Sequence, residues 1–137
     1  MIRIYITGMP QAGSTLCYNI VRLLVEYSGY PVEGWTQDRG LVYRKEGTKP
    51  GEYILIKQHN LSSASPINFN KASGDHVINI KRDLRDTVAS AYRKFPDKDK
   101  FNILEMCERN IKWYESWVRV TDYEWVYEKY KANSVRK

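Results

Sequence analysis

The sequence predicts an α/β protein in which an open parallel sheet carries helices on both faces. Three observations support this class: short apolar strands recur along the chain, amphipathic helical segments separate them, and glycine or polar residues follow the strands. An intervening helix returns the chain to the same end of the sheet, so successive strands pair in parallel. Because ligands of such sheets bind at the carboxyl ends of the strands, we expect the site there.

The first element is a strand that begins at Ile2. Ile2, Ile4 and Ile6 alternate with polar residues, and their β-branched side chains favour a strand. From Ser14 the apolar residues recur at helical spacing, which places Gly13 and Ser14 at the start of a helix. Unpaired backbone N–H groups at a helix start attract anions. A turn that only joins strand to helix remains the alternative for this motif taken alone.

The turn GMPQAGST, residues 8–15, differs from a Walker A loop at one decisive position. It has both glycines and the closing Thr15, but Ser14 stands where the lysine belongs. That lysine reaches the terminal phosphates of ATP, so its absence speaks against an ATPase or kinase and leaves phosphate binding intact. A small-molecule kinase stays as a hypothesis that predicts magnesium-dependent binding of ATP.

Two stretches predict long loops. Gly29 and Pro31 end the first helix, and Val32–Glu52 is interpreted as a loop that contains one short strand, formed from Trp35, Leu41, Val42 and Tyr43. Trp35 is expected to anchor this loop on the core. The second loop, Asn60–Asp75, is rich in Ser, Asn and Ala and is expected to cross the surface.

Between and after these loops, two apolar runs predict interior parallel strands at Tyr53–Lys57 and His76–Lys81. Each run ends in cationic or polar side chains: Lys57 and His59 follow the first, and Arg82 follows the second. Since parallel strands end at the same edge, both strands deliver cations to one place.

The remaining pattern predicts two helices, a fourth strand and the start of a last helix, at Asp83–Phe95, Phe101–Val120, Tyr123–Tyr127 and Glu128–Lys137. Asp83 is the expected N-cap of the first of these helices, and Pro96 ends it. Trp113 and Trp117 in the longer helix are expected to be packing groups.

The composition bounds the class of protein. The 137 residues predict one domain, 1–137, and the net charge of +6 favours an anionic partner. The basic residues are dispersed, so we expect no nucleic-acid partner, and without an apolar run of ~18 residues we expect no membrane partner and a cytoplasmic location. Cys17 and Cys107 lack the spacing of a zinc site and are expected to be free thiols. We expect no metal.

Three motifs, in this order, resemble the sulfotransferases that use 3′-phosphoadenosine 5′-phosphosulfate (PAPS). They are PQAGST (Pro10–Thr15), KQH (Lys57–His59) and KRDLRDTVASAY (Lys81–Tyr92). The closing stretch VYEKYKAN (Val126–Asn133) is similar to the family's Y-E-D-L/M-K-x-N segment. The resemblance therefore runs in register along the whole chain and implies the P-loop-like sulfotransferase fold in a small or truncated version.

The resemblance also implies roles for individual residues. The first loop would wrap the 5′-phosphosulfate with Gln11, Ala12, Gly13, Ser14 and Thr15. His59 would be the general base, and Lys57 would stabilise charge on the sulfuryl group or the leaving phosphate. Arg82 and Ser90, eight residues apart, would grip the 3′-phosphate. From the residues alone, Arg82 could instead pair with Asp83, Asp86 or Glu26 at the entrance of its helix.

The function that this resemblance implies is transfer of a sulfuryl group from PAPS to a hydroxyl or amine of a small-molecule or glycan acceptor, without a metal. The product is adenosine 3′,5′-bisphosphate. Gln11 stands where the family has a lysine or arginine, and the family continues past Lys137. We therefore expect weak activity, and the alternative is a catalytically impaired nucleotide-binding module of the same fold.

Overall fold

The computed structural model describes residues 2–44, 52–59, 69 and 74–130. In this part of the chain the strands are β1 Ile2–Gly8, β2 Val32–Thr36, β3 Gly40–Arg44, β4 Tyr53–Gln58, β5 His76–Lys81 and β6 Tyr123–Val126. The helices are α1 Ser14–Tyr27, α2 Leu84–Lys94 and α3 Ile103–Val118, with a 3-10 turn at Lys98–Lys100. Residues 127–130 are also helical. The predicted α/β class is confirmed.

The strands form a six-stranded sheet in the order β3-β2-β4-β1-β5-β6. β1 lies near the centre, parallel to β4 on one side and to β5 on the other. Thr7 pairs with Gln58 and Gly8 with Ile80, so the three strands end level with one another. The residues that follow β1, β4 and β5 therefore meet at one edge of the sheet.

The segment predicted as a loop with a single strand is instead a hairpin. β2 and β3 pair antiparallel, with Trp35 opposite Leu41, and β2 also pairs parallel with β4. The sheet is thus parallel except for its edge strand β3. The prediction was wrong because Gly34 resembles a turn residue, yet a Cβ at this position would overlap with the hydroxyl oxygen of Tyr18 on α1. Glycine at this position allows α1 to pack closely on β2.

The alternation of side chains along each strand supplies two apolar clusters. One cluster contains Ile6 and Leu55 together with Cys17 and Tyr18 of α1. The other contains Tyr5 of β1, Ile54, Ile56 and Val77 of the neighbouring strands, and the fully buried Trp117 of α3. Helices therefore cover both faces of the sheet, and the expectation that Trp117 is a packing residue is confirmed.

Capping side chains decide where α2 and α3 begin. Asp83 is the N-cap of α2 as predicted, and its carboxylate accepts a hydrogen bond from the Arg85 N–H at 2.9 Å. The third helix begins two residues later than predicted, because Asn102 caps it by accepting from the Glu105 N–H at 3.0 Å. It ends at Val118 rather than Val120.

Cys17 is buried and Cys107 is half-buried, and both are free thiols as expected. Burial raises the pKa of the Cys17 thiol to about 12, which keeps it protonated and unreactive. Within the described residues, none of the helices has the length and apolar character needed to cross a membrane. The second predicted loop lies outside the described residues except for Phe69, Gly74 and Asp75, as do residues 131–137 of the predicted last helix.

Candidate functional site

The turn between β1 and α1 forms the floor of the site. Gly13 precedes α1 with a φ of 99°, and Gln11 has a φ of 66°, which is uncommon for a residue with a side chain. The Ala12 N–H closes the turn by donating to the Met9 carbonyl at 3.1 Å. Among the described residues, no side chain caps the start of α1. Its first backbone N–H groups and the positive end of its dipole are therefore available to an anion.

A pocket of about 460 Å³ opens above this turn. Of the nine site residues predicted from the sequence, eight line it, and they are Gln11, Gly13, Ser14, Thr15, Lys57, His59, Arg82 and Ser90. Ala12 does not line the pocket, because its side chain is fully buried in the core cluster beneath the turn. The three separated motifs thus meet in one place, as the topology of parallel strands requires.

His59, just after β4, is held in place by three hydrogen bonds. Its Nδ1 lies 2.8 Å from the Gly8 carbonyl oxygen, its backbone N–H donates to Gln37 Oε1 at 3.2 Å, and its carbonyl accepts from Trp117 Nε1 at 3.1 Å. The Trp113 ring lies nearly parallel to the imidazole, at 9° and 6.3 Å between centroids. A carbonyl oxygen only accepts hydrogen bonds, so Nδ1 carries the proton and Nε2 keeps its lone pair.

Burial is the main cause that lowers the pKa of His59 below its ordinary value of 6.5, while the hydrogen bond to Gly8 opposes the change. The charge of Lys57 lowers this pKa further. The imidazole is therefore neutral at pH 7, which is the state that a proton acceptor needs.

Lys57, near the end of β4, reaches across to the start of α1. Its Nζ donates to Thr15 Oγ1 at 2.7 Å. Burial is the largest cause that lowers the pKa of this ammonium group. A half-buried cation next to the helix start adds to the attraction for an anion.

Arg82, after β5, contacts the turn from the other side. Its Nη1 donates to the Gln11 carbonyl at 2.8 Å, and its guanidinium lies over the Tyr127 ring at 4.4 Å from the centroid. The alternative pairing with Asp83 is not observed, since that carboxylate binds Arg85 instead. Within the described residues, Arg82 Nε is buried without a hydrogen-bond partner. An orphaned donor of a cationic group is what a bound anion would satisfy.

Four residues of the described lining are not among the predicted site residues, and they are Pro10, Leu16, Lys94 and Tyr127. Lys94 lines the pocket, and its Nζ donates to Gln11 Oε1 at 2.7 Å. The sequence could have predicted its position, because Lys94 follows Ser90 by four residues and so lies one turn along the same face of α2. Tyr127 also lines the pocket, directly after β6, a strand that ends at the same edge of the sheet. The lining within the described residues contains three cations and no carboxylate, an arrangement that favours a polyanion.

Comparison with known proteins bears on the fold. A scan of protein-family models finds no match, and a search of curated proteins finds none either. A search of solved structures shows that the chain has the fold of a sulfotransferase. One matching structure is mouse sulfotransferase SULT7A1 complexed with PAP, with a TM-score of 0.62 and 16% sequence identity. The match covers 98% of this chain and 55% of that one, so this chain spans about half the length of its structural neighbour.

Proposed function

We propose that this protein is a sulfotransferase that moves a sulfuryl group from PAPS to a hydroxyl or amine of a small-molecule or glycan acceptor. The observation that carries the proposal is His59: its Nδ1 is committed to the Gly8 carbonyl at 2.8 Å, while the ring lines the same pocket as the turn before α1. A neutral imidazole with a fixed tautomer, next to an anion-binding turn, suits a general base for transfer from an anionic donor.

The reaction needs only positioning, proton removal and stabilisation of charge. The acceptor oxygen or nitrogen attacks sulfur and forms the new bond, while the bond from sulfur to the bridging phosphate oxygen breaks and its electron pair leaves with the phosphate. His59 Nε2 takes the proton of the acceptor. Lys57 and the Thr15 hydroxyl, already joined at 2.7 Å, stabilise the negative charge that develops on the leaving phosphate.

The proposed grip on the 3′-phosphate rests on Arg82 and Ser90. Both line the pocket, and the buried Arg82 Nε has no partner among the described residues. The cation–π contact with Tyr127 and the bond to the Gln11 carbonyl orient the guanidinium in advance. Because less side-chain entropy is then lost when the phosphate binds, the grip is stronger than a free arginine would provide.

A second candidate, the nucleotide-binding module without turnover, is favoured by one specific observation. The turn that would face the transferring group has no cation of its own, since Gln11 supplies a neutral amide at its tip. Such a protein would bind adenosine 3′,5′-bisphosphate yet transfer no sulfuryl group to any acceptor.

The test compares His59→Gln with His76→Gln. The exposed His76 begins β5, at the opposite edge of the sheet, so it is a matched control for loss of an imidazole. Turnover is measured with ³⁵S-labelled PAPS over a panel of phenols, alcohols, amines and oligosaccharides, and binding of adenosine 3′,5′-bisphosphate is measured by calorimetry. We expect His59→Gln to lower turnover by about 10²–10⁴-fold with the bisphosphate still bound, and His76→Gln to change neither.

Three results would count against the proposal in different ways. Equal turnover by both variants would remove His59 from the role of base. Tight binding of the bisphosphate by the wild-type protein, without turnover on any acceptor, would favour the binding module. Thermal stabilisation by ATP with magnesium but not by the bisphosphate would favour the kinase hypothesis, because a ligand that binds only the native state raises its stability.

A further inference from the structure

The turn at residues 8–15 contains no lysine or arginine. Its contribution to an anion is limited to backbone N–H groups, hydroxyls and the neutral Gln11 amide, although a phosphosulfate carries concentrated negative charge at neutral pH. The cations of the pocket come from three other places: Lys57 from β4, Arg82 from the residue after β5, and Lys94 from the last turn of α2.

Two of these cations have partners that assign them to separate parts of the pocket. Lys57 donates to Thr15 at the start of α1, and Arg82 donates to the Gln11 carbonyl beside Tyr127. Lys94 donates to the side-chain oxygen of Gln11 at 2.7 Å. The Gln11 side chain therefore holds an ammonium group at the mouth of a turn that has no cation of its own.

The charge of Lys94 is close enough to Lys57 to affect its pKa. Burial is the main cause that lowers the pKa of Lys57, and the positive charges of Arg39 and Lys94 lower it further. An anion that lies between two ammonium groups stabilises both of them and offsets their mutual repulsion. The geometry agrees, because Lys57 and Lys94 each donate to a residue of the turn at residues 8–15, Lys57 to Thr15 and Lys94 to Gln11.

We propose that Lys94 binds the 5′-phosphosulfate end of the donor, and that Gln11 positions it there. The cation for this end of the donor is thus carried by α2 rather than by the turn. Lys94 is exposed and the Gln11 amide is its hydrogen-bond partner, so the ammonium can pass from the amide oxygen to a phosphate oxygen with little movement. This inference rests on the proposed function, because it names a further residue of the same donor site.

The test pairs Lys94→Gln with Arg93→Gln. Arg93 is the preceding residue of α2, is exposed and lies outside the described lining of the pocket, so its variant makes the same change of charge without the contact. Three probes separate the two ends of the donor: adenosine 3′,5′-bisphosphate, adenosine 5′-monophosphate and adenosine 3′-monophosphate. We expect Lys94→Gln to raise the Kd of the first two by about tenfold and to leave the third unchanged. Arg93→Gln is expected to leave all three unchanged.

A relocated charge provides the decisive variant. In Gln11→Lys/Lys94→Gln the cation sits on the turn instead of on α2, and we expect the affinity for the bisphosphate to return to within about twofold of the wild-type value. A residue that only braced the turn would not be replaced in this way. Thermal melts of each variant show whether the fold is intact.

Equal binding by Lys94→Gln and Arg93→Gln would overturn the inference, and so would an equal loss of affinity for the 3′-monophosphate. The outcome is separable from that of the proposed function. If the wild-type protein binds the bisphosphate and Lys94→Gln weakens that binding, but no acceptor is sulfated, this inference is supported and the proposed transfer activity is refuted. An active wild-type protein without the Lys94 effect supports the activity and removes Lys94 from the donor site.

Discussion

Gly13→Ala is the substitution for which the structure makes the sharpest quantitative prediction. Gly13 has a φ of 99°, a conformation that residues with a Cβ rarely adopt. A Cβ at this position would lie 2.8 Å from Tyr127 Cδ2 and 3.2 Å from its Cε2. The same Tyr127 ring supports the Arg82 guanidinium. The substitution therefore strains the turn and also disturbs the side chain that is proposed to bind the 3′-phosphate.

The expected magnitude has two parts. Placing a residue with a Cβ in the left-handed region costs about 1–2 kcal/mol. The Tyr127 ring must also retreat by about 0.6 Å to restore an ordinary 3.4 Å contact, and overpacking of this kind costs about 1–3 kcal/mol. We expect the free energy of unfolding to fall by about 2–5 kcal/mol, which corresponds to a Tm about 7–17 °C lower for a chain of this length.

Gly29→Ala is the matched control for this experiment. Gly29 also has a positive φ, of 84°, but a Cβ there would meet nothing within 4 Å. It should therefore show only the conformational cost of about 1 kcal/mol, with unchanged binding of adenosine 3′,5′-bisphosphate. The assay is differential scanning calorimetry, followed by a binding titration. If Gly13→Ala lowers Tm no more than Gly29→Ala does, the contact with Tyr127 does not matter and the reasoning is refuted.

Two further predictions concern buried polar groups. Burial lowers the pKa of His59 in the folded protein, so below pH 6.5 the unfolded chain binds more protons at this residue than the folded protein does. The stability that His59 contributes is therefore fully present above pH 6.5. It is lost as the pH falls from 6.5 through the lowered pKa of the folded protein. An NMR titration of the imidazole in His76→Gln, which leaves one histidine, should give a midpoint below 6.5, and a midpoint at or above 6.5 would contradict the buried environment. The Tyr18 hydroxyl is buried without a hydrogen-bond partner in the described residues and crowds Gly34. Tyr18→Phe should therefore leave the free energy of unfolding unchanged or raise it by about 1–3 kcal/mol in denaturant titrations, and a loss above about 1 kcal/mol would show that the hydroxyl has a partner.

Much of the fold was predictable because local patterns and global topology agree. The alternation at Ile2, Ile4 and Ile6 marked β1, and the change to helical spacing at Ser14 marked the start of α1. The apolar runs before His59 and Arg82 marked β4 and β5. Parallel strands necessarily end together, so an ordered series of motifs at strand ends was enough to predict that they meet.

The hairpin of β2 and β3 was not predictable in the same way. Gly34 and Gly40 look like turn residues, and only the packing of Tyr18 against β2 explains why a glycine is required inside a strand. The start of α3 depended on which polar residue became the cap, and the Asn102 side chain decided it. The contact between Tyr18 and β2 joins residues that are distant in the chain, and a single sequence does not display such contacts.

The sequence by itself determined the α/β class, the order of the elements other than the β2–β3 hairpin, and the residue types brought to the edge of the sheet, because periodicity and glycine turns are local properties. Only the tertiary structure decided how those residues act on one another. The Gly8 carbonyl assigns the proton of His59, the Tyr127 ring orients Arg82, and Gln11 holds Lys94 over a turn without a cation. Tautomer, orientation and the position of a charge are set by atoms far apart in the chain, and folding is what brings those atoms within hydrogen-bond distance.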